Sequence, residues 1–247
     1  MYYYIAEPPE NKQDQNTLNS IRSSLVPEGI AGEFVFINPS ESIETMVNNA
    51  IKQGFSTIVA VGNDMLADSI AGSVYDQHVA LGLIPLRTST LAVSLGYESW
   101  QKAILALKHR KLALFDLGAI NDEYYFLQNA VISTDKNAQY LLHMSRFNAS
   151  IATNQIILQM PTGVSPFDIP GVINFVVESK SNRKWSLFGN SKGGEIETLL
   201  RSEQSAIQCS ESASVILNGK TISHTPVSVE IIPQSVRIIV ARQIRMA

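Results

Sequence analysis

The first half of the chain alternates short apolar runs with amphipathic stretches. The apolar runs lie at residues 2–6, 34–37, 57–61 and 81–85. Runs of this length are typical of buried strands, and the amphipathic stretches between them are typical of helices. The pattern therefore predicts consecutive strand–helix units around a parallel sheet.

Helical periodicity is clearest after the second strand, where apolar residues recur at positions i, i+3, i+4, i+7 and i+8 and Gly54 then provides a stop. These residues are Ile43, Met46, Val47, Ala50 and Ile51. Residues 18–25 show a shorter version of the same spacing. Further helices are expected over residues 65–75 and in a segment that ends near residue 107.

The second half of the chain has a different character. Its apolar runs are short, rich in β-branched or aromatic residues, and separated by turn residues, which favours an antiparallel sheet. Only residues 138–144 and 195–201 are expected to be helical. The predicted strands lie at residues 112–117, 124–133, 151–160, 172–178, 215–217, 227–232 and 236–241.

These patterns predict two domains. Residues 1–111 would form an open parallel-sheet α/β domain, and residues 112–247 an antiparallel β-sandwich-like domain whose last strands return to the cleft. In open α/β sheets ligands bind at the carboxyl ends of the strands. The turns at Gly62–Asp64 and Pro85–Ser89 would lie at that edge.

Composition narrows the function classes. The chain has 247 residues, of which 45% are hydrophobic and 17% charged, and its 19 basic and 22 acidic residues give a net charge of −3. This charge offers no global attraction for nucleic acid. No stretch of 18 apolar residues and no signal-like N-terminus is present, so membrane contact is expected to be peripheral at most. The single cysteine, Cys209, fits a cytoplasmic location.

Two segments resemble the diacylglycerol kinase catalytic-domain family. Residues 61–66 read VGNDML where that family has GGDGTL after a strand, and residues 81–96 read LGLIPLRTSTLAVSLG. The family's second signature runs roughly LGIIPLGTGNDFARxLG. Leu81, Gly82, Pro85, Leu86 and Thr88 match that signature position by position, and Leu95 and Gly96 match its closing Leu-Gly with one residue fewer in between.

Shorter similarities follow in the family's order. Residues 113–118 (ALFDLG) resemble the strand that opens the family's second domain, and residues 125–129 (YFLQN) resemble the segment after it. Residues 215–220 (VILNGK) resemble the family's Asp-Gly-Glu turn, and Pro226 and residues 231–238 resemble its closing strands. The likeness thus spans nearly the whole chain.

The resemblance implies a two-domain lipid kinase that shares its nucleotide-binding fold with NAD kinases. ATP, with Mg²⁺, and a lipid hydroxyl would meet in the cleft between the domains. Nucleotide-binding positions carried over from the motifs are Gly62, Asn63, Asp64, Arg87 and Thr88. The glycine-rich loop of the family brings backbone close to the phosphates.

The first loop departs from the family pattern at most of its positions. Val61 and Asp64 replace two glycines, Asn63 replaces the aspartate, and Met65 replaces the threonine. A β-branched side chain and a carboxylate would crowd and repel a polyphosphate. Asp64 could instead hold Mg²⁺ in place of the lost aspartate, although a shift of one residue changes the direction of the side chain.

The second loop and the acidic turn also differ. Arg87 replaces a glycine and either contacts an anionic ligand or lies solvated at a loop tip. Leu91 stands where the family has an aspartate. Asn218 and Lys220 replace the acidic residues of the turn, and neither an amide nor a protonated lysine is a base at neutral pH. An Asn-Gly hairpin turn accounts for this segment without any chemistry.

Two functions from different classes follow. The first is a lipid-kinase-like protein with impaired catalysis that binds a nucleotide or lipid-like ligand in the cleft. The second is an active ATP- and Mg²⁺-dependent kinase, with Asp64 as metal ligand and Asp116 or Asp122 as base. A third reading is that only the fold is shared.

The basic run at residues 108–111 indicates a solvated helix end more than a contact with anionic lipid. A homodimer is compatible with each reading.

Overall fold

The computed structural model describes residues 1–161, 169–179 and 196–241. Its first part alternates strands and helices, as the sequence pattern predicts. The strands are β1 (Tyr2–Ala6), β2 (Gly32–Phe36), β3 (Thr57–Gly62) and β4 (Ala80–Pro85). The helices are α1 (Lys12–Leu25), α2 (Ile43–Lys52), α3 (Asp64–Ser73), α4 (Thr90–Ser94) and α5 (Trp100–His109).

The four strands form a parallel sheet in the order β2-β1-β3-β4. Strands β3 and β4 are buried along their whole length, because helices cover both faces of a sheet of this kind. In this sheet Ala6 lies beside Val61, and Gly62 lies beside Pro85. The carboxyl ends of β1, β3 and β4 therefore meet at one edge.

Side-chain caps determine where the helices begin. Asn11, Ser42 and Ser99 each accept a hydrogen bond from the backbone N–H three residues on, at the starts of α1, α2 and α5. Ser89 caps α4 in the same way, through the N–H of Ala92.

The second part consists of strands. They are β5 (Lys111–Ile120), β6 (Tyr124–Phe126), β7 (Asn129–Met144), β8 (Asn148–Gln159), β9 (Ile173–Ser179), β10 (Ile196–Ser202), β11 (Gln204–Cys209), β12 (Ser214–Leu217), β13 (Lys220–His224) and β14 (Val227–Val240). Neighbouring strands of this part pair antiparallel. The predicted fold class, parallel α/β followed by antiparallel β, is confirmed.

Two predicted helices are wrong. Residues 138–144 belong to β7, where Ala138, Tyr140, Leu142 and Met144 are buried and the residues between them are less so. This alternation has the period of a strand. Residues 196–201 lie in β10, which pairs antiparallel with β9. The predicted strands at residues 227–232 and 236–241 are one strand, β14, with an irregularity between Ile232 and Val236.

The last strand connects the two parts. Arg237 and Ile238 of β14 pair in parallel with β4, while its other edge pairs antiparallel with β5. Two buried apolar clusters lie on either side of this connection, and β5 contributes Leu117 to the first and Ile120 to the second.

The exact domain boundary at residue 112 stays a prediction. Within the described ranges, none of the helices has the length and apolarity needed to cross a bilayer.

Candidate functional site

The candidate site lies at the edge where β1, β3 and β4 end. Glu7 follows β1, Asn63 and Asp64 follow Gly62 at the end of β3, and Arg87 follows β4. In a parallel sheet this edge presents free backbone N–H groups and helix N-termini, which bind anions. The partners of those groups therefore decide whether the edge can accept a phosphate.

Glu7 occupies the loop after β3. Its Oε2 accepts a hydrogen bond of 3.1 Å from the backbone N–H of Asn63. A Cβ on Gly62 would lie 2.7 Å from the Glu7 carboxyl group, so the missing side chain of Gly62 makes room for Glu7. Burial raises the pKa of Glu7. The Asn63 N–H, which the resemblance places in the phosphate loop, is thus already bonded to a carboxylate of the same chain.

Arg87 is held by two carboxylates at the start of α1. Its Nη2 lies 2.7 Å from Glu10 and 2.6 Å from Asp14. The hydrogen bond from Arg87 lowers the pKa of Asp14, and the two carboxylates raise the pKa of Arg87. The guanidinium is half-exposed but its charge is offset, so neither of the two roles considered for it, anion contact or solvated loop tip, describes its position fully.

Asp64 binds the N-terminus of α4. Its carboxylate accepts hydrogen bonds from the backbone N–H groups of Thr90 and Leu91, at 3.0 and 3.2 Å, and from the Thr90 hydroxyl at 2.9 Å. The Ser89 hydroxyl is a fourth donor. A carboxylate is favoured at a helix N-terminus for this reason. Asp64 is therefore bonded to the N-terminus of α4, and the backbone N–H of Leu91 is one of its donors.

Asp64→Ala tests this assignment. It should lower the free energy of unfolding by about 1–2 kcal/mol, because the N–H groups of Thr90 and Leu91 lose their acceptor. Urea denaturation followed by Trp fluorescence measures this loss. Mg²⁺ should leave the midpoint of wild type and variant equally unchanged. A Mg²⁺-dependent stabilisation seen only in wild type would instead make Asp64 a metal ligand.

The Asn-Gly turn contacts the first part of the molecule. Asn218 and Gly219 have φ values of 50° and 75°, as a tight hairpin turn between β12 and β13 requires. The Asn218 amide donates hydrogen bonds of 3.0 Å to Asp68 Oδ2 and to Ser69 Oγ on α3. The residue that replaces the family's acid thus joins the hairpin to α3.

Asp68 is the centre of this junction. Its Oδ1 accepts hydrogen bonds from the backbone N–H groups of Leu127 and Gln128, at 2.6 and 2.9 Å. Burial raises the pKa of Asp68 to about 6, although its hydrogen bonds act in the opposite direction. We call Asp68, Asn218 and the N–H groups of residues 127 and 128 the junction.

The other proposed residues have different surroundings. Lys220 is exposed at the start of β13. Asp116 accepts a hydrogen bond of 2.8 Å from the Gln234 N–H. Asp122 shares a hydrogen bond with Glu230 and thereby raises the pKa of Glu230. These contacts involve β14 and do not reach the loops after β3 and β4.

A cavity of about 210 Å³ lies beside the loop after β4. Leu86, Val93 and Trp100 give it an apolar wall. Thr88, Ser89 and Ser99 contribute hydroxyl groups, and Arg87 and Glu98 contribute charged groups. Thr88 is exposed next to this cavity. In the part of the chain that the structure describes, no three Asp, Glu, His or Cys side chains are grouped so as to hold a metal ion.

Sequence reasoning missed Glu7 and Asp68. Glu7 directly follows the first predicted strand, so its place at the same edge as Gly62 was an available signal. Asp68 lies one helical turn after Asp64, on a segment predicted to be helical. Its partner Asn218 is 150 positions away in the chain, and no local pattern indicates that contact.

Several solved structures with a similar architecture are described as kinases. A diacylglycerol kinase from Bacillus anthracis matches with a TM-score of 0.75 and 14% identity, over 99% of this chain and 98% of that one. A putative diacylglycerol kinase from the same organism gives 0.77 and 13%, with the same coverage. Yeast NADH kinase, complexed with NADH, gives 0.60 and 12%, over 98% of this chain and 84% of that one.

The chain therefore has the fold shared by diacylglycerol kinases and NAD kinases, as its motifs predict. Neither the models of known protein families nor the curated proteins match its sequence. Identities of this size establish the fold, whereas function depends on the residues of the site.

Proposed function

We propose that this protein is a kinase-fold binding protein that does not transfer phosphate. The observation that carries the proposal is the pairing of Glu7 with the Asn63 N–H at the loop where a nucleotide phosphate would bind. A carboxylate on that donor excludes a phosphate by volume and by charge. A protein can keep this fold while its loop lacks the chemistry that the same fold supports in other proteins.

Charge around the loop supports the same proposal. Glu10 and Asp14 form ion pairs with Arg87, Glu7 lies within the electrostatic reach of the same cation, and Asp64 adds a further carboxylate beside the loop after β4. Phosphoryl transfer depends on cations that neutralise the phosphate oxygens. A site with an excess of carboxylates opposes a polyphosphate unless metal ions compensate, and Asp64 is already bonded to α4.

The turn at residues 218–220 supports the proposal as well. A general base must lie within hydrogen-bond reach of the hydroxyl from which it takes a proton. Asn218 has no basic atom and donates to Asp68. Asp68 is buried and accepts three hydrogen bonds from the protein, so its carboxylate is committed to the junction.

We propose that the ligand is a nucleoside-like or lipid-like molecule held by both apolar and polar contacts. The cavity beside Thr88 has an apolar wall that includes Trp100, and hydroxyl groups that could orient a polar end. A cavity of about 210 Å³ accommodates a ring or a short acyl segment, and not a whole nucleotide. The base of a nucleoside-like ligand, or the acyl chain of a lipid-like ligand, would enter this cavity, and no phosphate would bind at the loop after β3.

A phosphotransfer assay tests the proposal. Purified protein with labelled ATP, Mg²⁺ or Mn²⁺, and diacylglycerol, sphingosine or NAD should give no product above background. Quenching of Trp100 by nucleosides and short-chain lipids, compared with Trp100→Phe, reports ligand binding separately. Turnover that disappears in Asp64→Asn, Asp116→Asn or Asp122→Asn would contradict the proposal and establish the active kinase instead.

A further inference from the structure

The first half of β5 is an edge of the sheet. It pairs with β14 on one side, and β6 pairs only with its last residues, Gly118–Ile120. Among the described residues no strand runs along Leu112–Leu117 on the other side. In a strand, alternate residues direct their N–H and C=O groups to each side. This edge therefore presents backbone groups that can pair with another strand.

The same segment exposes apolar side chains. Leu112 is 41% and Leu114 47% exposed, and both lie on one face because they are two positions apart. Between Lys111 and Asp116 the residues are Leu, Ala, Leu and Phe, without charge. Proteins usually protect such an edge with a central charge, a proline or a bulge. An uncharged edge with two exposed leucines is the kind of edge that a partner covers.

We propose that β5 pairs with β5 of a second copy of this chain, antiparallel and around a two-fold axis at Ala113. This register places Leu112 opposite Leu114 of the second copy, twice by symmetry. The charges are self-complementary, because Arg110 lies at one end of the segment and Asp116 at the other, and this register places them opposite each other. Antiparallel pairing brings the cationic end of each strand next to the anionic end of the other.

The expected dimer is weak. A single short strand pair covers less surface than the roughly 1,200 Å² found in stable complexes. Dimerisation should therefore depend on protein concentration in the micromolar range. The parallel sheets of the two copies would join into one continuous sheet through β5, and the carboxyl edges with Glu7 and Asp64 would stay outside the interface.

Sedimentation equilibrium over a range of concentrations tests this interface. Wild type should approach twice the monomer mass of 27.1 kDa, whereas Leu114→Lys should dissociate at least about tenfold more readily, since it places two lysines near the axis. Phe147→Lys is the matched control, because Phe147 is 45% exposed at the turn between β7 and β8.

Hydrogen exchange provides a second measurement. Amides of residues 112–117 should exchange more slowly at high than at low protein concentration in wild type, and equally at both in Leu114→Lys. Thermal melts confirm that both variants are folded. A wild type that remains monomeric, or a dimer that persists in Leu114→Lys and dissociates in Phe147→Lys, would overturn the proposal.

Discussion

Asn218→Asp is expected to destabilise the protein by roughly 3 kcal/mol at pH 7, because it brings a second carboxylate to the buried Asp68. The Asn218 amide nitrogen now lies 3.0 Å from Asp68 Oδ2 and donates to it. An aspartate at position 218 would replace that hydrogen bond with repulsion. Urea denaturation at pH 7 and pH 5 measures the change, and the loss should be smaller at pH 5, where one carboxyl group takes up a proton.

The matched control is a double variant in which the residues at positions 68 and 218 are exchanged. Asp68→Asn combined with Asn218→Asp restores one donor and one acceptor, so it should recover stability to within about 1 kcal/mol of wild type. Lys220→Glu adds an acid two positions away at an exposed site and should change stability by less than about 0.5 kcal/mol. If the double variant is no more stable than Asn218→Asp alone, Asp68 and Asn218 are not coupled as described.

The junction also makes stability depend on pH. Because the pKa of Asp68 is raised from 3.8 to about 6, the folded protein binds a proton in a range where the unfolded chain has lost it. The free energy of unfolding should therefore fall as the pH rises from 4 to 6, by up to roughly 3 kcal/mol for this group, and stay level above. Asp68→Asn should remove this part of the pH dependence.

Removal of the Glu7 carboxylate is the change expected to affect ligand binding most. Glu7→Ala should free the Asn63 N–H and strengthen binding of pyrophosphate or ATP by at least about tenfold, because volume and charge are both removed. Glu7→Gln removes the charge and keeps the volume, so its gain should be smaller. Titration calorimetry at constant ionic strength measures each affinity.

Glu33→Ala controls for the change in net charge. Glu33 is an exposed carboxylate on β2, away from the loop after β3. Its removal should leave pyrophosphate binding unchanged. An equal gain in Glu33→Ala and Glu7→Ala would show that the effect comes from overall charge and not from the carboxylate on Asn63.

Local patterns predicted most of the α/β part. The period of Ile43, Met46 and Val47 specified α2, and the fully apolar run at residues 57–61 specified β3, because burial on both faces leaves no polar position. Residues 138–144 misled the prediction, since Ala, Gln, Leu and Met favour helices. Pairing with β8 and β11 overrode that propensity, and only the alternation of buried positions reveals it.

The site depended on contacts that no local pattern contains. The motifs located Gly62, Asn63, Asp64 and Arg87 at one edge of the sheet, and the structure brings them there. Their partners come from distant segments, with Glu7 lying 56 positions before Asn63 and Asp14 lying 73 before Arg87. The departures from the diacylglycerol kinase motifs were visible in the sequence, whereas the occupation of the loop by Glu7 was visible only in the folded chain.

The chemical shift of the Asn63 amide during an ATP titration reports whether the Glu7 carboxylate keeps phosphate off the loop after β3. We expect the ¹⁵N–¹H signal of Asn63 in wild type to stay unchanged as MgATP is added, because its N–H is bonded to Glu7. In Glu7→Ala the same signal should move and saturate. A saturable shift of Asn63 in wild type, with the affinity of a specific nucleotide complex, would contradict the account and show that phosphate displaces Glu7.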